Sequence, residues 1–411
     1  MAKKLNSVLG VDIGSRKIKI AEVRSQGREP VITAMGMIDT PEGAVDHTGV
    51  YNSDAVGAAL KQLINESGAS VAHAVISIAG QASVLVRTLE VPRMNPAELK
   101  EHMQWEINRN IPFAESNVVS DYQPLETEDP NSQNMDVVMA ISPQSAVDTV
   151  IACVKKAGRQ AAAIDVEPLS VARSLRMSYD DALGQNTVCV VEIGHKTMSI
   201  NIYREGKLLM PRQVPLGGEM FTRAIADGMG VGLDSAEAMK IAQLEIPADA
   251  ATGAGPAPAG FYPTGGAATQ EFMPYNPFAN DPIAAPPAPA DEPLPADEPV
   301  AAPVPITPAG GGDTQLYNSI AGVLEELVAE IRRSIDYFRS RGGEVNSIVL
   351  AGGGSRIRGL TSFLSTSLGI PCDLYDPVRR LNLNVKNVAP GFVDDNREAM
   401  VIAIGNGLHI F

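Results

Sequence analysis

Residues Leu9–Ile20 read LGVDIGSRKIKI and set the architecture of the chain. An apolar, β-prone run ends at Asp12, turns at Gly14 beside Ser15, and continues as a second strand that carries Lys19. Glycine lets the backbone approach an anion closely, and successive N–H groups in such a turn form an anion-binding concavity. Asp12 could then hold Mg²⁺ through water, and Lys19 could reach a phosphate. Taken alone, the pattern also fits an ordinary hairpin, because Asp and Gly are common turn residues.

A second copy of this pattern lies in the middle of the chain. Val190–Ile200 reads VVEIGHKTMSI, with Glu192 where the first copy has Asp12, followed by Gly194 and Thr197. In both places the order is strand, glycine turn, strand, strand, which indicates a duplication. Two such turns facing each other could clamp the β- and γ-phosphates of a nucleotide, so the pair is more specific than either copy.

A third glycine-rich turn follows a strand near the C-terminus. Ile348–Leu360 reads IVLAGGGSRIRGL, in which Gly352, Gly353 and Gly354 lead into a helix. This arrangement suits the ribose or α-phosphate of a nucleotide at a helix N-terminus. It is neither a Walker A loop nor the GxGxxG dinucleotide pattern. A plain strand-to-helix turn accounts for one or two glycines, but less readily for three.

Two sets of charged residues leave alternatives open. Glu237 and Lys240 are three apart on an expected helix and share a face. They could flank a ribose, although spacing alone favours a solvated ion pair. Asp165 and Glu167 end a strand before Pro168. An acid there could orient an attacking water, and a helix-capping role is equally consistent with the sequence.

The composition excludes several classes of protein. The 411 residues are 45% hydrophobic, enough for two to four domains with sizeable cores. The net charge of −15 argues against a protein that holds nucleic acid or anionic lipid mainly by electrostatics. Three cysteines without CxxC spacing predict neither a disulfide framework nor a zinc site. Because no apolar run is long enough for a membrane helix or a signal peptide, we expect a cytoplasmic protein.

One segment differs sharply in composition from the rest. Pro247–Gly312 spans 66 residues and holds 16 of the 30 prolines, seven acids and no Lys or Arg. Such a segment has little apolar surface to bury, so we predict a disordered, partly extended insertion. A tolerated insertion is the favoured interpretation, and a docking motif around Phe272–Phe278 is the alternative.

The order of these elements resembles the actin-like ATPase superfamily, which includes actin, the large heat-shock chaperones and the division protein FtsA. The first two glycine turns look like its phosphate loops, and the third looks like its adenosine motif. Ile164–Arg173 (IDVEPLSVAR) and Val401–Leu408 (VIAIGNGL) sit where the two helices connecting its lobes belong. The resemblance covers the chain apart from the proline-rich segment.

A more specific resemblance lies in Leu89–Leu125, which contains ELKEHMQWEINRNIPF followed by VVSDYQPL. This stretch closely resembles the PilM family of type IV pilus assembly proteins, as does Glu330–Ser340 (EIRRSIDYFRS). The resemblance implies an α/β, duplicated ribonuclease H-like fold with the small strand–helix–strand–strand subdomain of FtsA and PilM. The implied divisions are a first large subdomain (1–81 and 159–185), the small subdomain (82–158), a second large subdomain (186–222 and 341–411) and a second small subdomain (223–340) that contains the insertion.

The resemblance also implies ATP and Mg²⁺ in a central cleft, with at most slow hydrolysis. The implied phosphate-loop residues are Asp12, Gly14, Ser15, Arg16, Lys19, Gly194 and Thr197. The implied ribose and adenosine contacts are Glu237, Lys240, Gly352, Gly353, Gly354 and Arg356. Asp12 and Glu192 would hold Mg²⁺ through water. The candidate catalytic residue is Glu167, which would orient the attacking water. Glu192 departs from the usual Asp of the second loop, which puts the metal geometry in doubt.

The partners implied by the resemblance belong to the machinery of twitching motility. A groove near the small subdomain would bind the N-terminal cytoplasmic peptide of the inner-membrane protein PilN. The chain would form a ring that links the pilus motor ATPases to the membrane complex, with membrane association only through its partners and no nucleic acid. An FtsA-like division scaffold and a small-molecule kinase on the same fold are the alternatives. The sequence shows no acid clearly placed as a kinase's general base, and Gly405–Phe411 does not resemble the amphipathic helix of FtsA.

Overall fold

The protein is described by a computed structural model that covers residues 5–27, 29–114, 117–125, 132–179, 186–248, 250 and 312–411. The strands in these ranges are β1 (Ser7–Ile13), β2 (Lys17–Gln26), β3 (Glu29–Asp39), β4 (His73–Ile78), β5 (Leu85–Pro92), β6 (Val118–Pro124), β7 (Asn134–Pro143), β8 (Gln160–Val166), β9 (Thr187–Ile193), β10 (Met198–Arg204), β11 (Lys207–Met210), β12 (Gln213–Val214), β13 (Ser347–Ala351), β14 (Cys372–Leu374) and β15 (Asn382–Leu383). The α-helices are α1 (Ser53–Ser67), α2 (Pro96–Arg109), α3 (Gln144–Lys156), α4 (Glu167–Ser178), α5 (Gly218–Met229), α6 (Leu233–Ala242), α7 (Gly312–Ser340), α8 (Leu360–Leu368), α9 (Phe392–Asn396) and α10 (Val401–Gly407).

Two of the sheets repeat one topology. In the first, the order is β15-β3-β2-β1-β4-β8, with β1 to β3 antiparallel and β4 and β8 parallel to β1. In the second, the order is β11-β10-β9-β13-β14, with an antiparallel meander followed by parallel strands. β1 and β9 therefore occupy equivalent central positions. Asp12 and Glu192 lie near their carboxyl ends, where the two hairpin turns begin.

The helices α4 and α10 pack together and against the first sheet. Ala403 and Ile404 of α10 are buried with Val23 of β2 in one apolar cluster. The approach is close enough to require glycine. A Cβ on Gly10 of β1 would lie 1.9 Å from the carbonyl oxygen of Ala403, and one on Gly405 would lie 2.1 Å from that of Ser170. The glycines in these segments therefore fix how near the last helix sits to the strand that carries Asp12.

The third sheet, in the order β5-β7-β6, carries α2 on one face. Leu99, Met103 and Ile107 of this helix are buried against the sheet. At its start, the Asn95 side chain accepts from the amides of residues 97 and 98, and the Glu98 carboxylate accepts from the Asn95 amide. This reciprocal capping box satisfies backbone donors that the first turn leaves unpaired.

The structure corrects the expected elements in a few places. The last strand of the second copy, which the sequence pattern predicts as one element, is split into β11 and β12, because Pro211 has no backbone N–H with which to continue the ladder. The insertion expected over Pro247–Gly312 lies mostly outside the described residues. At its C-terminal boundary the expectation was wrong, since Gly312 already belongs to α7. No helix among the described residues is long and apolar enough to cross a membrane.

Candidate functional site

The first hairpin carries a buried ion pair. Asp12 and Lys19 are register partners on β1 and β2, and Lys19 Nζ lies 2.7 Å from Asp12 Oδ2. Only 6% of the Asp12 side chain and 14% of the Lys19 side chain are exposed. Burial alone would lower the pKa of Lys19, but the nearby carboxylates of Asp12, Glu192 and Glu167 outweigh it and raise that pKa. Lys19 is therefore held as a cation at the end of the first phosphate hairpin.

Two further carboxylates converge on this pair. Glu192 is near the end of β9, and Glu167 begins α4. Burial, and then the charge of Asp12, raises the pKa of Glu192 to about 7. Burial, followed by the charges of Glu192 and Asp12, holds the pKa of Glu167 well above its usual range. Glu192 and Glu167 thus interact electrostatically with the Asp12–Lys19 pair, and a cation bound among these acids would favour their ionised forms.

The two glycine turns have the same geometry. The Gly14 amide donates to the Lys17 carbonyl at 3.1 Å, and the Gly194 amide donates to the Thr197 carbonyl at 2.9 Å. The first turn is also braced by the Thr40 hydroxyl, which donates to the Gly14 carbonyl at 2.7 Å. The structure therefore repeats, at the level of single hydrogen bonds, the duplication that the sequence indicates.

The two turns face each other. Ser15 Oγ in the first lies 3.4 Å from His195 Nδ1 in the second, so a polar contact joins the two halves of the molecule. Ser15 and Thr197 also both line a cavity of about 60 Å³. The sequence interpretation had not singled out His195. Its position directly after Gly194 was the available signal.

The third glycine turn abuts the end of β9. A Cβ on Gly352, whose φ is +81°, would lie 2.4 Å from the Ile193 carbonyl oxygen, and one on Gly354 would lie 2.4 Å from Ile193 Cγ2. Packing alone thus requires glycine at these two positions. Gly353 differs, because a Cβ there would meet no atom within 4 Å. The exposed Arg356 directs its guanidinium to the Asp395 carbonyl.

Glu237 and Lys240 bond to each other and to α5. Lys240 Nζ lies 2.7 Å from Glu237 Oε2 and donates to the Gly218 carbonyl at 3.0 Å, while the Thr222 hydroxyl also donates to Glu237. Burial would raise the pKa of Glu237, but these hydrogen bonds and the charges of Lys240 and Arg16 lower it. Glu237 and Lys240 thus form the ion pair that spacing alone favours, but the pair is partly buried against α5.

The Asp165 carboxylate already has three polar partners. It accepts from the Val166 amide at 2.7 Å, pairs with Arg173 and lies 3.3 Å from His409 Nδ1. Burial would raise the pKa of Asp165, but these partners hold it below its usual value. Of the two acids at this strand end, Glu167 is the one whose pKa is affected by the charges of Glu192, Asp12 and Lys19.

The sequence-derived residues thus fall into one connected region. Ile193 links the second hairpin to the glycine turn at Gly352, and the Gly194 carbonyl accepts from the Gly218 amide beside Lys240. Arg356 is the outlying residue, since its guanidinium turns toward α9. Within the part of the chain that the structure describes, no group of three or more His, Cys, Asp or Glu is arranged as direct ligands of a metal.

With this geometry in place, known proteins offer a comparison. A family model described as Type IV pilus assembly protein PilM matches residues 10–253. The chain belongs to the PilM family. A second family model, for the cell division protein FtsA, matches residues 189–400. The two matches overlap over residues 189–253.

Solved structures support the same fold for this PilM family member. The chain superposes on a structure described as the PilM-PilN type IV pilus biogenesis complex with a TM-score of 0.74, 24% identity and 99% of each chain covered. The ethanolamine utilization protein EutJ of Carboxydothermus hydrogenoformans matches with a TM-score of 0.50 and 13% identity, covering 99% of this chain and 91% of that chain. The expected actin-like fold is confirmed.

The curated relatives match a smaller part of the chain. FtsA of Neisseria meningitidis is 25% identical over 256 residues, which cover 56% of this chain and 60% of that protein. FtsA of Pseudomonas aeruginosa is 25% identical over 260 residues, covering 57% and 60%. This PilM family chain therefore spans about three fifths of the length of these two relatives.

Proposed function

We propose that the protein is an ATP-binding adaptor of the type IV pilus machine. It binds the N-terminal cytoplasmic peptide of the inner-membrane protein PilN and links it to the pilus motor ATPases, and nucleotide sets the closure of its two halves. The observation that carries the proposal is the approach of the two phosphate hairpins, Ser15 to His195, above the buried Asp12–Lys19 pair. Membership of the PilM family supplies the biological setting.

The residues present fit a magnesium–nucleotide complex. The open space beside Gly353 leaves room for a ligand at the third glycine turn. The space beside Gly352 and Gly354 is occupied by Ile193. The carboxylates of Asp12 and Glu192 favour a divalent cation, which they would hold through its water molecules because Mg²⁺ keeps much of its hydration. Bound Mg²⁺ would neutralise phosphate charge. Lys19 adds a second cation at the same place.

The other assignments follow from position. Phosphate oxygens fit beside Gly14, Ser15, Arg16, Gly194 and Thr197. Glu237 and Lys240 are assigned to the ribose, and Gly352, Gly353 and Gly354 to the adenosine. Arg356 would reach the adenosine only by leaving the Asp395 carbonyl. Glu167 is assigned to the orientation of an attacking water. Slow turnover at most is expected, because Glu192 replaces the usual Asp of the second loop and moves the carboxylate about one methylene further.

The partner assignment rests on family membership and on the fold shared with the matched PilM-PilN complex. PilN would bind in a groove near residues 82–158, where β5, β6, β7 and α2 form a separate sheet and helix. Membrane association would then come through PilN, at the cytoplasmic face of the inner membrane. A ring of identical subunits would present several PilN sites to the motors.

Calorimetric titration of the full chain with a PilN N-terminal peptide, with and without Mg²⁺-ATP, tests this proposal. We expect saturable binding of the peptide and a change in its affinity when nucleotide is present, which measures the coupling between the two sites. A scrambled peptide of the same composition is the control. If neither peptide nor ATP binds to the folded protein, the adaptor proposal is wrong.

An FtsA-like division scaffold is the second candidate, because the FtsA family model matches residues 189–400. A scaffold of that type would attach to membranes without PilN. Flotation of the isolated protein with vesicles of mixed neutral and anionic phospholipid separates the two proposals. Binding to vesicles without any partner favours the scaffold, and attachment only after PilN is incorporated favours the adaptor.

A further inference from the structure

The second phosphate hairpin carries an imidazole at the point where it faces the first. His195 Nδ1 lies 3.4 Å from Ser15 Oγ, across the cleft between the two halves of the fold. We propose that His195 is a latch between the two halves whose hydrogen-bond partner changes when a nucleotide binds. Its imidazole bonds Ser15 when the cleft holds no nucleotide, and it turns to a phosphate oxygen when a nucleotide binds. This inference rests on the proposed nucleotide site and adds a closing element to it.

The backbone of His195 is held in place, so its side chain swings from a fixed base. The His195 carbonyl accepts from the Glu219 amide, and the Gly194 carbonyl accepts from the Gly218 amide, each at 2.8 Å. These are donors of the first turn of α5, which that helix cannot satisfy internally. A Cβ on Gly217 would lie 2.4 Å from the His195 carbonyl oxygen, so the contact depends on glycine at that position.

The contact with Ser15 is suited to exchange. Its length of 3.4 Å exceeds the usual range of hydrogen bonds in proteins, so the bond is weak. A phosphate oxygen carries charge, and hydrogen bonds to charged acceptors are shorter and stronger. A phosphate placed between the hairpins would therefore displace Ser15 as the partner of His195. The Ser15 hydroxyl can donate to the same phosphate.

Burial favours a neutral imidazole at His195. Burial lowers the pKa of His195 first of all, and the cations Arg16 and Lys240 act in the same direction, against the opposing carboxylates of Glu219 and Glu237. A neutral ring with its proton on Nδ1 donates to either partner, whether Ser15 or phosphate. The latch thus needs no proton uptake, only the rotation of one side chain.

Two measurements test the latch. Spin labels on the exposed α1 and α5 positions Lys61→Cys and Asp227→Cys report the distance between the halves, since the three native cysteines are buried. Without nucleotide, we expect His195→Ala to broaden the distance distribution or shift it to larger values. In calorimetric titration with Mg²⁺-ATP, the same variant should bind about tenfold more weakly.

Matched variants separate the latch from general damage to the loop. Ser15→Ala should reproduce the distance change of His195→Ala, and the double variant should add nothing further to it. His195→Asn, which places an amide group near the position of Nδ1, should restore much of both signals. Lys196→Ala alters the adjacent side chain of the same hairpin and should leave the distance distribution unchanged.

The outcomes distinguish the latch from the proposed function. If the parent protein binds Mg²⁺-ATP and His195→Ala matches it in both affinity and distance distribution, the latch is wrong and nucleotide binding stands. If Lys196→Ala changes the distance as much as His195→Ala, the effect belongs to the loop, and the latch is again overturned. If the parent protein binds no nucleotide, the proposed function and the latch fall together.

Discussion

The side-chain amide of Asn406 donates to the main-chain carbonyl of Val11 at 2.8 Å, joining the last helix to the strand that leads into the first phosphate hairpin. The other end of the same side chain accepts from Ser77 Oγ at 2.9 Å and Ser170 Oγ at 2.6 Å. Asn406 is fully buried. The hydrogen bonds of this one side-chain amide therefore connect β1, β4, α4 and α10.

Replacing this amide should cost stability. In Asn406→Ala, the Val11 carbonyl and two buried hydroxyls lose a partner, and each unsatisfied group costs about 1–3 kcal/mol. We expect the free energy of unfolding, measured in urea, to fall by roughly 3 kcal/mol. Asn384→Ala, at an exposed position, is the control. A loss in Asn406→Ala no larger than in that control would show that water replaces the amide.

Two helical glycines should respond to alanine with opposite signs. A Cβ on Gly405 of α10 would lie 2.1 Å from the Ser170 carbonyl oxygen, whereas one on Gly322 of α7 would meet no atom within 4 Å. Overpacking should make Gly405→Ala less stable by about 2 kcal/mol. Gly322→Ala should gain about 0.5–1 kcal/mol through helix propensity. Thermal and urea unfolding of both variants check the signs, and equal effects would contradict the packing of α10.

The local features of the fold were readable from the sequence. The capping of α2 by Asn95 follows from residue types at fixed offsets. The two glycine hairpins likewise depend only on neighbouring residues, so Gly14 and Gly194 were expected to turn where they do. The repeated order of strands then predicted the repeated sheet topology.

Other features depend on contacts between distant segments and leave no local pattern. Asn406 lies 395 residues from Val11, and nothing in its own helix marks it as a buried link. β14 and β15 have three and two residues, too few to show the alternation typical of a strand. Besides Glu237, Lys240 bonds the Gly218 carbonyl and the Thr222 hydroxyl of α5, contacts that spacing within its own helix does not indicate.

The strand β2 carries two lysine–aspartate pairs that differ in burial and so form a natural control. Lys19 binds the buried Asp12 at 2.7 Å, whereas Lys17 binds Asp39, whose side chain is 70% exposed, at 2.9 Å. We expect Asp12→Ala to lower the affinity for Mg²⁺-ATP at least tenfold, because it removes a carboxylate assigned to the cation. Asp39→Ala should bind as the parent does. Calorimetric titration of both checks this, and equal affinities would remove Asp12 from the site.

The outer face of α2 offers a test of the partner groove. Trp105 is 54% exposed and has the Arg109 guanidinium 4.5 Å from its ring centroid, while Leu99 and Met103 are buried against the sheet. A charge at either buried position would unfold the small sheet, so the charge belongs on the exposed face. We expect Trp105→Glu to weaken binding of the PilN peptide more than that of Mg²⁺-ATP.

Ile241→Glu is the control for this charge, because Ile241 is 74% exposed and lies on α6, outside the small sheet. It should leave the affinity for the PilN peptide unchanged. Both affinities are to be measured on the same folded preparations. A larger loss of ATP binding than of peptide binding in Trp105→Glu would place the partner groove elsewhere.

A buried carboxylate away from the cleft predicts how stability depends on pH. Glu22 of β2 accepts from the Thr33 hydroxyl at 2.7 Å and from the Ser70 and Val71 amides at 2.6 and 3.0 Å. Burial would raise the pKa of Glu22, but these hydrogen bonds, together with that from Arg24, lower it below 4.5. The folded protein therefore stabilises the ionised form of Glu22 more than the unfolded chain does.

Because the folded pKa of Glu22 is the lower one, its contribution to stability is fully present above the unfolded value and is lost as pH falls through the folded value. We expect Glu22→Gln to be less stable than the parent by roughly 2 kcal/mol at about pH 7. That difference should shrink steadily between about pH 5 and pH 3. Urea unfolding of both proteins across this range measures it, with the exposed Glu42→Gln as control. If the difference in unfolding free energy stays constant down to about pH 3, Glu22 stabilises the fold through its shape and not through its charge.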